Sequence, residues 1–210
     1  MEDMQNDKME IQNEYKDAMN GVERMVKRMI DFTISLSGII VLLPIYILIY
    51  IMVLVFSGGE VIYKQERIGY KGKPFTIYKF RTMKRDAEKN GIPRTEEERR
   101  GQMTGVGAFL RDHHLDELPQ LLCILKGDMS IVGPRPPLPR EVEQYDEYAM
   151  QRLLVTPGLT CYWQIQPYRN RLSFDEWVEL DVKYIKERSF KTDWKIILRT
   201  FGAVLGMNGL

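Results

Sequence analysis

Apolar residues are spread very unevenly along the 210-residue chain. From Thr33 to Phe56 they are almost unbroken, about 24 residues, which is long enough for a helix to cross the hydrocarbon of a bilayer. The stretch before it, Met1 to about Asn20, is polar and mixed in charge with no apolar period, so it reads as a frayed helix or a disordered lead. No signal-peptide pattern is present, because the apolar run comes later and no small-residue cleavage site follows it. Beyond the run, Val61-Ile62-Tyr63 and Phe75-Thr76-Ile77-Tyr78-Lys79-Phe80 flank the turn-rich Gly69-Tyr70-Lys71-Gly72-Lys73-Pro74, and the pattern predicts a small β-hairpin. Residues 84–103 are charged and loop-like, with Glu96 to Arg100 as a solvated helix. Leu118, Leu121, Leu122 and Leu125 recur at helical spacing, and Pro119 suits only a helix's first turn, which makes Asp116 the expected N-cap. Residues 141–154 read as one further helix. Two amphipathic helices close the chain, one carrying Phe174, Trp177, Val178, Asp181, Tyr184 and Ile185, the other Trp194, Ile196, Ile197, Leu198, Phe201, Val204 and Leu205.

The expected fold is therefore α+β and mainly helical. Its divisions are a polar lead over 1–22, a membrane helix over 23–58, and a third region over 59–210. Arg24, Lys27 and Arg28 precede the apolar run, while Lys64, Arg67, Lys71 and Lys73 follow it, so the positive-inside rule draws both ends to the cytoplasm. A straight span cannot satisfy both. Pro44 lies near the middle, where it removes a backbone donor and clashes with the carbonyl of Ile40, so a helix bent there could enter one leaflet and return. The alternative is a single-span anchor that tolerates its proline. The two C-terminal helices are open between packing into a core and lying in the headgroup region.

A net charge of +1 argues against a nucleic-acid binder. Cys123 and Cys161 are far apart in sequence, and His113 and His114 are the remaining soft ligands, so no zinc pattern exists. Cys123 falls on the apolar helix after the acidic pair and reads as a small, reduced core residue.

The candidate chemistry sits where that helix begins. Asp116-Glu117 opens it, and the unpaired amides and positive dipole end of a helix start favour anions such as a diphosphate. That location predicts an ionised Asp116 with a lowered pKa. Lys126-Gly127-Asp128-Met129-Ser130-Ile131-Val132-Gly133-Pro134-Arg135-Pro136 then returns the chain with another cation. The plain alternative is ordinary helix-start chemistry, worth about 1 kcal/mol. Lys79 and Arg81 alternate with aromatics, so in a strand they would share a face that could meet phosphate, or anionic lipid. Arg111, five residues before Asp116, could fork onto phosphate oxygens in a way lysine cannot. His113 and His114 read as surface or supporting residues.

LDELPQ followed by KGDMSIVGPRP, with YKFRTM upstream, resembles the bacterial sugar transferases, in particular the small monotopic phosphoglycosyl transferases. The likeness runs from about Val26 to the C-terminus. Gln65 to Gly69 and Thr156 to Thr160 resemble further family motifs, and Trp163-Gln164-Ile165 matches a third. Arg169-Asn170 resembles the family's GRN element. Leu43 stands where the family has a serine, Cys161 and Tyr168 where it has glycines. The resemblance implies a helix dipping into the cytoplasmic leaflet of the bacterial inner membrane, broken at Pro44, and the aromatic-rich amphipathic pattern beside it reads as interfacial helices at the C-terminus. It implies transfer of a sugar-1-phosphate from a UDP-sugar to a polyprenyl phosphate such as undecaprenyl phosphate, releasing UMP, at the start of exopolysaccharide, capsule or glycoconjugate assembly. Asp116 would be the nucleophile of a covalent intermediate, Glu117 the ligand of Mg2+, Arg111, Arg135, Lys79 and Arg81 the phosphate holders, and Arg169 and Asn170 nucleotide contacts. Larger relatives carry extra membrane helices before this core, and the chain reads as the minimal form. The alternatives are an inactive membrane-anchored scaffold and a single-displacement transferase that uses Asp116 as base or metal ligand. The sequence is compatible with a homo-oligomer and does not identify the sugar.

Overall fold

The computed structural model describes residues 17–57, 59–84, 96–166 and 171–204. The polar lead up to residue 16 lies outside them. The apolar run forms part of one longer helix, α1 (Gly21–Ser57), which is continuous through Pro44. Asn20 and Glu23 start it reciprocally: Asn20 Oδ1 accepts from the Glu23 amide at 3.0 Å, and a Glu23 carboxylate oxygen accepts from the Asn20 amide at 2.8 Å. At about 1.5 Å per residue the helix runs for about 55 Å, well beyond the ~30 Å hydrocarbon core. Among the described residues it is the one helix long and apolar enough to cross a membrane. Most of its apolar surface is open, with Ile40, Val41, Leu43, Leu48 and Val55 all more than half exposed.

The chain divides into two compact units. One is built from 34–65 and 76–123. β1 (Ile62–Ile68) pairs with β2 (Pro74–Phe80) in a two-stranded sheet, so the expected hairpin is present with a longer first strand. The connection between the two strands turns at Lys71 and Gly72, both with positive φ, of 56° and 73°. Then come α2 (Glu96–Gly101), α3 (Gly107–Asp112) and a 3-10 turn over Leu115–Gln120, which leads into α4 (Leu121–Lys126). Ile49 and Val53 of α1 are buried with Val61, Phe80 and Leu110, and Tyr46, Leu115 and Leu118 pack against them. Tyr46, Ile49 and Val53 lie one turn apart, so a single stripe of α1 supplies this core while its other faces stay open. Gly107 has no room for a side chain, since a Cβ there would lie 2.0 Å from the Thr82 carbonyl oxygen.

The other unit takes the residues up to Thr33, Glu66–Phe75 and those from Ile124 onward. Here β3 (Ser130–Val132) pairs in parallel with β4 (Gly158–Thr160), Ser130 opposite Gly158 and Val132 opposite Thr160. Gly133 and Gly158 meet backbone to backbone: a Cβ on Gly158 would fall 2.0 Å from the Gly133 nitrogen. Residues 141–154 are not one helix. They are split among α5 (Pro139–Val142), α6 (Glu147–Met150) and a 3-10 turn at Gln151–Leu154. The cause is Asp146, which is extended at ψ 177° and caps α6 by accepting from the Ala149 amide at 2.7 Å.

The two C-terminal helices form as expected, as α7 (Phe174–Glu187) and α8 (Phe190–Val204). α7 is started by a Ser173–Glu176 capping box and buries Val178, Asp181, Val182, Tyr184 and Ile185. α8 buries Ile196 yet leaves Trp194, Leu198 and Phe201 exposed. The foot of α1 is held in this unit by a buried polar network. Lys27 Nζ lies 2.6 Å from an Asp193 carboxylate oxygen, and Asp31 accepts from the Ser130 hydroxyl at 2.7 Å and the Ile131 amide at 3.1 Å. The Tyr184 hydroxyl sits 2.9 Å from the second Asp193 oxygen. These partners explain why α1 begins well ahead of its apolar run: buried charges there are matched rather than solvated.

Candidate active site

α3 ends at Asp112 with His113 as its C-cap; His114 then enters the left-handed region, at φ 55° and ψ 18°, and leads into the 3-10 turn that carries the acidic pair. Asp116 is therefore not the N-cap; it sits inside the turn, buried, with Glu117 half-buried beside it. The shift runs opposite to the expected one. Burial pushes the Asp116 carboxyl up to about 6, the neighbouring Glu117 charge adds to the rise, and Lys79 and Arg111 pull it back in part. Desolvation wins because a six-residue turn presents little aligned dipole while Asp116 as a residue is 4 % exposed.

Lys79, near the end of β2, places Nζ 2.5 Å from Glu117 Oε1. Arg81, just past the strand, pairs instead with Glu60 at 2.6 Å, so the two cations expected on one face are each committed to a different carboxylate. Tyr46 reaches over from α1 and donates its hydroxyl to the Leu118 carbonyl. One unit thus gathers Lys79, Arg111, Asp116 and Glu117, with two cations against two carboxylates. Such a set can hold a phosphate through its cations while presenting an oxygen nucleophile and an oxygen ligand.

Arg135 belongs to the other unit, on the chain that leaves β3 after Gly133. It is exposed, and its guanidinium carbon lies 5.8 Å from the Trp163 ring centroid. Trp163 in turn stacks on Trp177 at 5.0 Å and 25°. Beneath them Arg152 Nε donates to Asp181 at 2.8 Å, a second nitrogen meets the Tyr145 hydroxyl, and a third lies 3.5 Å from the Arg135 carbonyl oxygen. Burial raises Asp181 to about 6 although Arg152 and Arg135 oppose the shift. Arg169 and Asn170 lie outside the described residues. Pro44 is exposed on α1.

Several contributors escaped the sequence reading, and some had left a signal. Asp181 stands among apolar residues on the buried face of α7, where an acid demands a partner, and Arg152 is that partner. Lys27 and Asp31 are spaced i, i+4 just before the apolar run, the spacing of a helical ion pair. Glu60 and Tyr46 had none, because their partners come from distant positions.

Among the described residues no three His, Cys, Asp or Glu side chains gather as metal donors. Two adjacent carboxylates are what the turn offers. This donor set does not fit an all-protein metal cage, but it fits magnesium, a hard ion that takes one or two carboxylates and completes its shell with substrate phosphates and water.

The family described as bacterial sugar transferase matches residues 22–207. The chain is 40% identical over 195 residues to the galactosyl transferase CpsE of Streptococcus agalactiae serotype III, covering 86% of this chain and 42% of that protein. It is 37% identical over 201 residues to the exopolysaccharide production protein ExoY of Sinorhizobium fredii, covering 89% of this chain and 88% of that one. It is 38% identical over 193 residues to the UDP-glucose:undecaprenyl-phosphate glucose-1-phosphate transferase of Escherichia coli, covering 89% and 41%. The chain thus spans about two fifths of the length of the first and third of these relatives and most of the second.

Proposed function

The chain belongs to the bacterial sugar transferase family, and from that premise we propose that it moves a sugar-1-phosphate from a UDP-sugar to a polyprenyl phosphate, undecaprenyl phosphate in bacteria, with release of UMP. The observation that carries the reading is the turn holding Asp116 and Glu117 with Lys79 in contact and Arg111 near enough to be felt by Asp116. Relatives named for transfer to undecaprenyl phosphate support the substrate classes.

Chemically, an Asp116 carboxylate oxygen attacks the phosphorus that bears the sugar. The bond from that phosphorus to the bridging oxygen breaks, and UMP leaves with the electron pair. A polyprenyl phosphate oxygen then attacks the same phosphorus and frees Asp116. At neutral pH a carboxyl near 6 is mostly ionised, so attack needs no prior deprotonation. That value also makes Asp116 a better base than an ordinary aspartate, so basicity alone does not separate attack from base catalysis. The acceptor does: a lipid phosphate is already an anion and gains little from a base. Two displacements also spare the protein from holding two bulky, like-charged phosphates in line at once. Arg111 and Arg135 hold phosphate oxygens, with Lys79 and Arg81 as further cations, and Arg169 and Asn170 serve the nucleotide. Glu117, with Asp116 beside it, would hold Mg2+. When bound, the ion offsets charge on the diphosphate.

The exposed apolar faces of α1 favour a seat in the bilayer, and basic residues on both flanks favour a helix that returns to the cytoplasmic side at Pro44. The exposed Trp194, Leu198 and Phe201 of α8 suit the headgroup region, beside Lys191 and Lys195. Single cysteines placed near residues 20 and 70, in a background lacking Cys123 and Cys161, should both resist labelling from outside intact cells. Labelling of one of them means a true span.

The chemical test is to mix the protein with UDP-sugars and magnesium, omit the lipid, and weigh the intact protein. An added sugar phosphate with one equivalent of UMP, both lost in Asp116→Asn, is the expected result. UMP that appears only when lipid phosphate is present, with no adduct under any quench, points to single displacement. No UMP from any UDP-sugar with lipid and magnesium points to an inactive scaffold.

A further inference from the structure

Residues 34–57 of α1 are almost all apolar, and a helix face seated in hydrocarbon gains nothing from a phenol hydroxyl. Tyr46 nevertheless carries one, and that hydroxyl is spent on a single target, the Leu118 carbonyl oxygen 2.5 Å away. Leu118 directly follows Glu117, and its carbonyl also accepts from the Leu121 amide, the bond that closes the acidic turn into α4. The Tyr46 ring is fixed in its own right. It packs against Phe80 at 6.0 Å and 55°, immediately after the Lys79 that pairs with Glu117. One turn and two turns further along the same face, Ile49 and Val53 are buried, so the rotation of α1 about its axis is set where Tyr46 reaches out. Among the described residues no other side chain of 34–56 hydrogen-bonds to the turn.

We infer that Tyr46 is a positioning residue for the Asp116-Glu117 turn, tying the backbone behind the acidic pair to the rotation and depth of the apolar helix. The inference rests on the reading of Asp116 and Glu117 as the reacting pair. Phenylalanine would fill the same space, so packing does not account for the hydroxyl; a buried hydroxyl without a partner is unfavourable, and its partner here is the turn. The turn is held from two sides, by Lys79 at the Glu117 carboxylate and by Tyr46 at the next carbonyl. Loss of the second hold lets the backbone shift, and shifts well under 1 Å are enough to slow a reaction that depends on alignment. The consequence is that the chemistry is geared to the seating of α1: a helix turned or drawn out of register withdraws the hydroxyl and slackens the turn.

The test compares Tyr46→Phe, Val53→Ala and Asp116→Asn as full-length protein in the same membrane preparation, with UDP-sugar, magnesium and polyprenyl phosphate. Tyr46→Phe is expected to lower kcat about 3- to 10-fold, the value of one hydrogen bond, with KM for the UDP-sugar within about twofold and Tm within about 2 °C. Formation of the protein-bound adduct without lipid should slow by the same factor. Val53→Ala removes packing from the same helix stripe; it should lower Tm by several degrees and leave kcat below the transition within about twofold. A Tyr46→Phe protein with wild-type kcat overturns the inference. So does one that behaves like Val53→Ala, losing Tm and not kcat. Asp116→Asn keeps the two claims apart: if it is dead while Tyr46→Phe is unimpaired, the positioning role fails alone, and if Asp116→Asn turns over normally, the reading of the pair itself fails.

Discussion

Asp116 and Asp181 are both buried aspartates whose carboxyls are raised to about 6, yet they serve different ends. Asp181 is sealed into α7 at 0 % exposure, with the Arg152 guanidinium 2.8 Å away. One of its carboxylate oxygens is matched by that guanidinium while the other has no hydrogen-bond partner among the described residues, and burial alone drives its shift. Asp116 has a second carboxylate as its chain neighbour, so like charge as well as burial raises it, with Lys79 and Arg111 opposing. A perturbed acid therefore does not mark chemistry by itself. What marks it is frustration: a carboxylate kept beside another, with cations left for a ligand to share, has no benefit for stability.

The sharpest way to break this contrast is to neutralise each acid. Asp116→Asn is expected to lower turnover by at least about 1000-fold with Tm unchanged or raised, whereas Asp181→Asn should lower Tm and leave turnover per folded molecule within about tenfold. The steady-state rate and a melting curve on one preparation decide it; an inactive but fully stable Asp181→Asn would reverse the assignment. Arg152→Met probes the partner. It leaves Asp181 buried without its cation and should cost about 3 to 5 kcal/mol, read by denaturant unfolding.

The pH dependence of stability follows from the direction of the Asp116 shift. The folded protein binds this proton more tightly than the unfolded chain, so the stability linked to it is whole below the ordinary value of 3.8 and is lost as pH rises through about 6. Above that the charged carboxylate remains a burden, on the order of 3 kcal/mol. Asp116→Asn should accordingly be more stable than wild type at pH 7, with the gain vanishing near pH 4. Asp181→Asn should show no gain at pH 7, because it strands Arg152. The smallest effect expected is at Arg135. Arg135→Lys keeps the charge and loses the planar fork, so turnover should fall about tenfold while Tm holds. A fall in Tm with normal turnover would make Arg135 a partner of Trp163 and nothing more.

Patterning alone determined much of this molecule, because those features depend on residues close together in the chain. The apolar run, the two-stranded hairpin, α2, and the two amphipathic helices at the C-terminus follow from local period and turn chemistry. The acidic pair, Lys79, Arg111 and Arg135 were legible as motifs. Other features were settled only in three dimensions. A three-residue strand such as β3 or β4 has no period to read, and its pairing depends on Gly133 meeting Gly158. The break at Asp146 competes with a helical pattern that looks continuous, and a local cap prevails. The sign of the Asp116 shift could not be read from its place at a helix start, because desolvation is a property of everything packed around a side chain. The same holds for which carboxylate each cation meets: Lys79 goes to Glu117 and Arg81 to Glu60, a choice made by the path of the backbone.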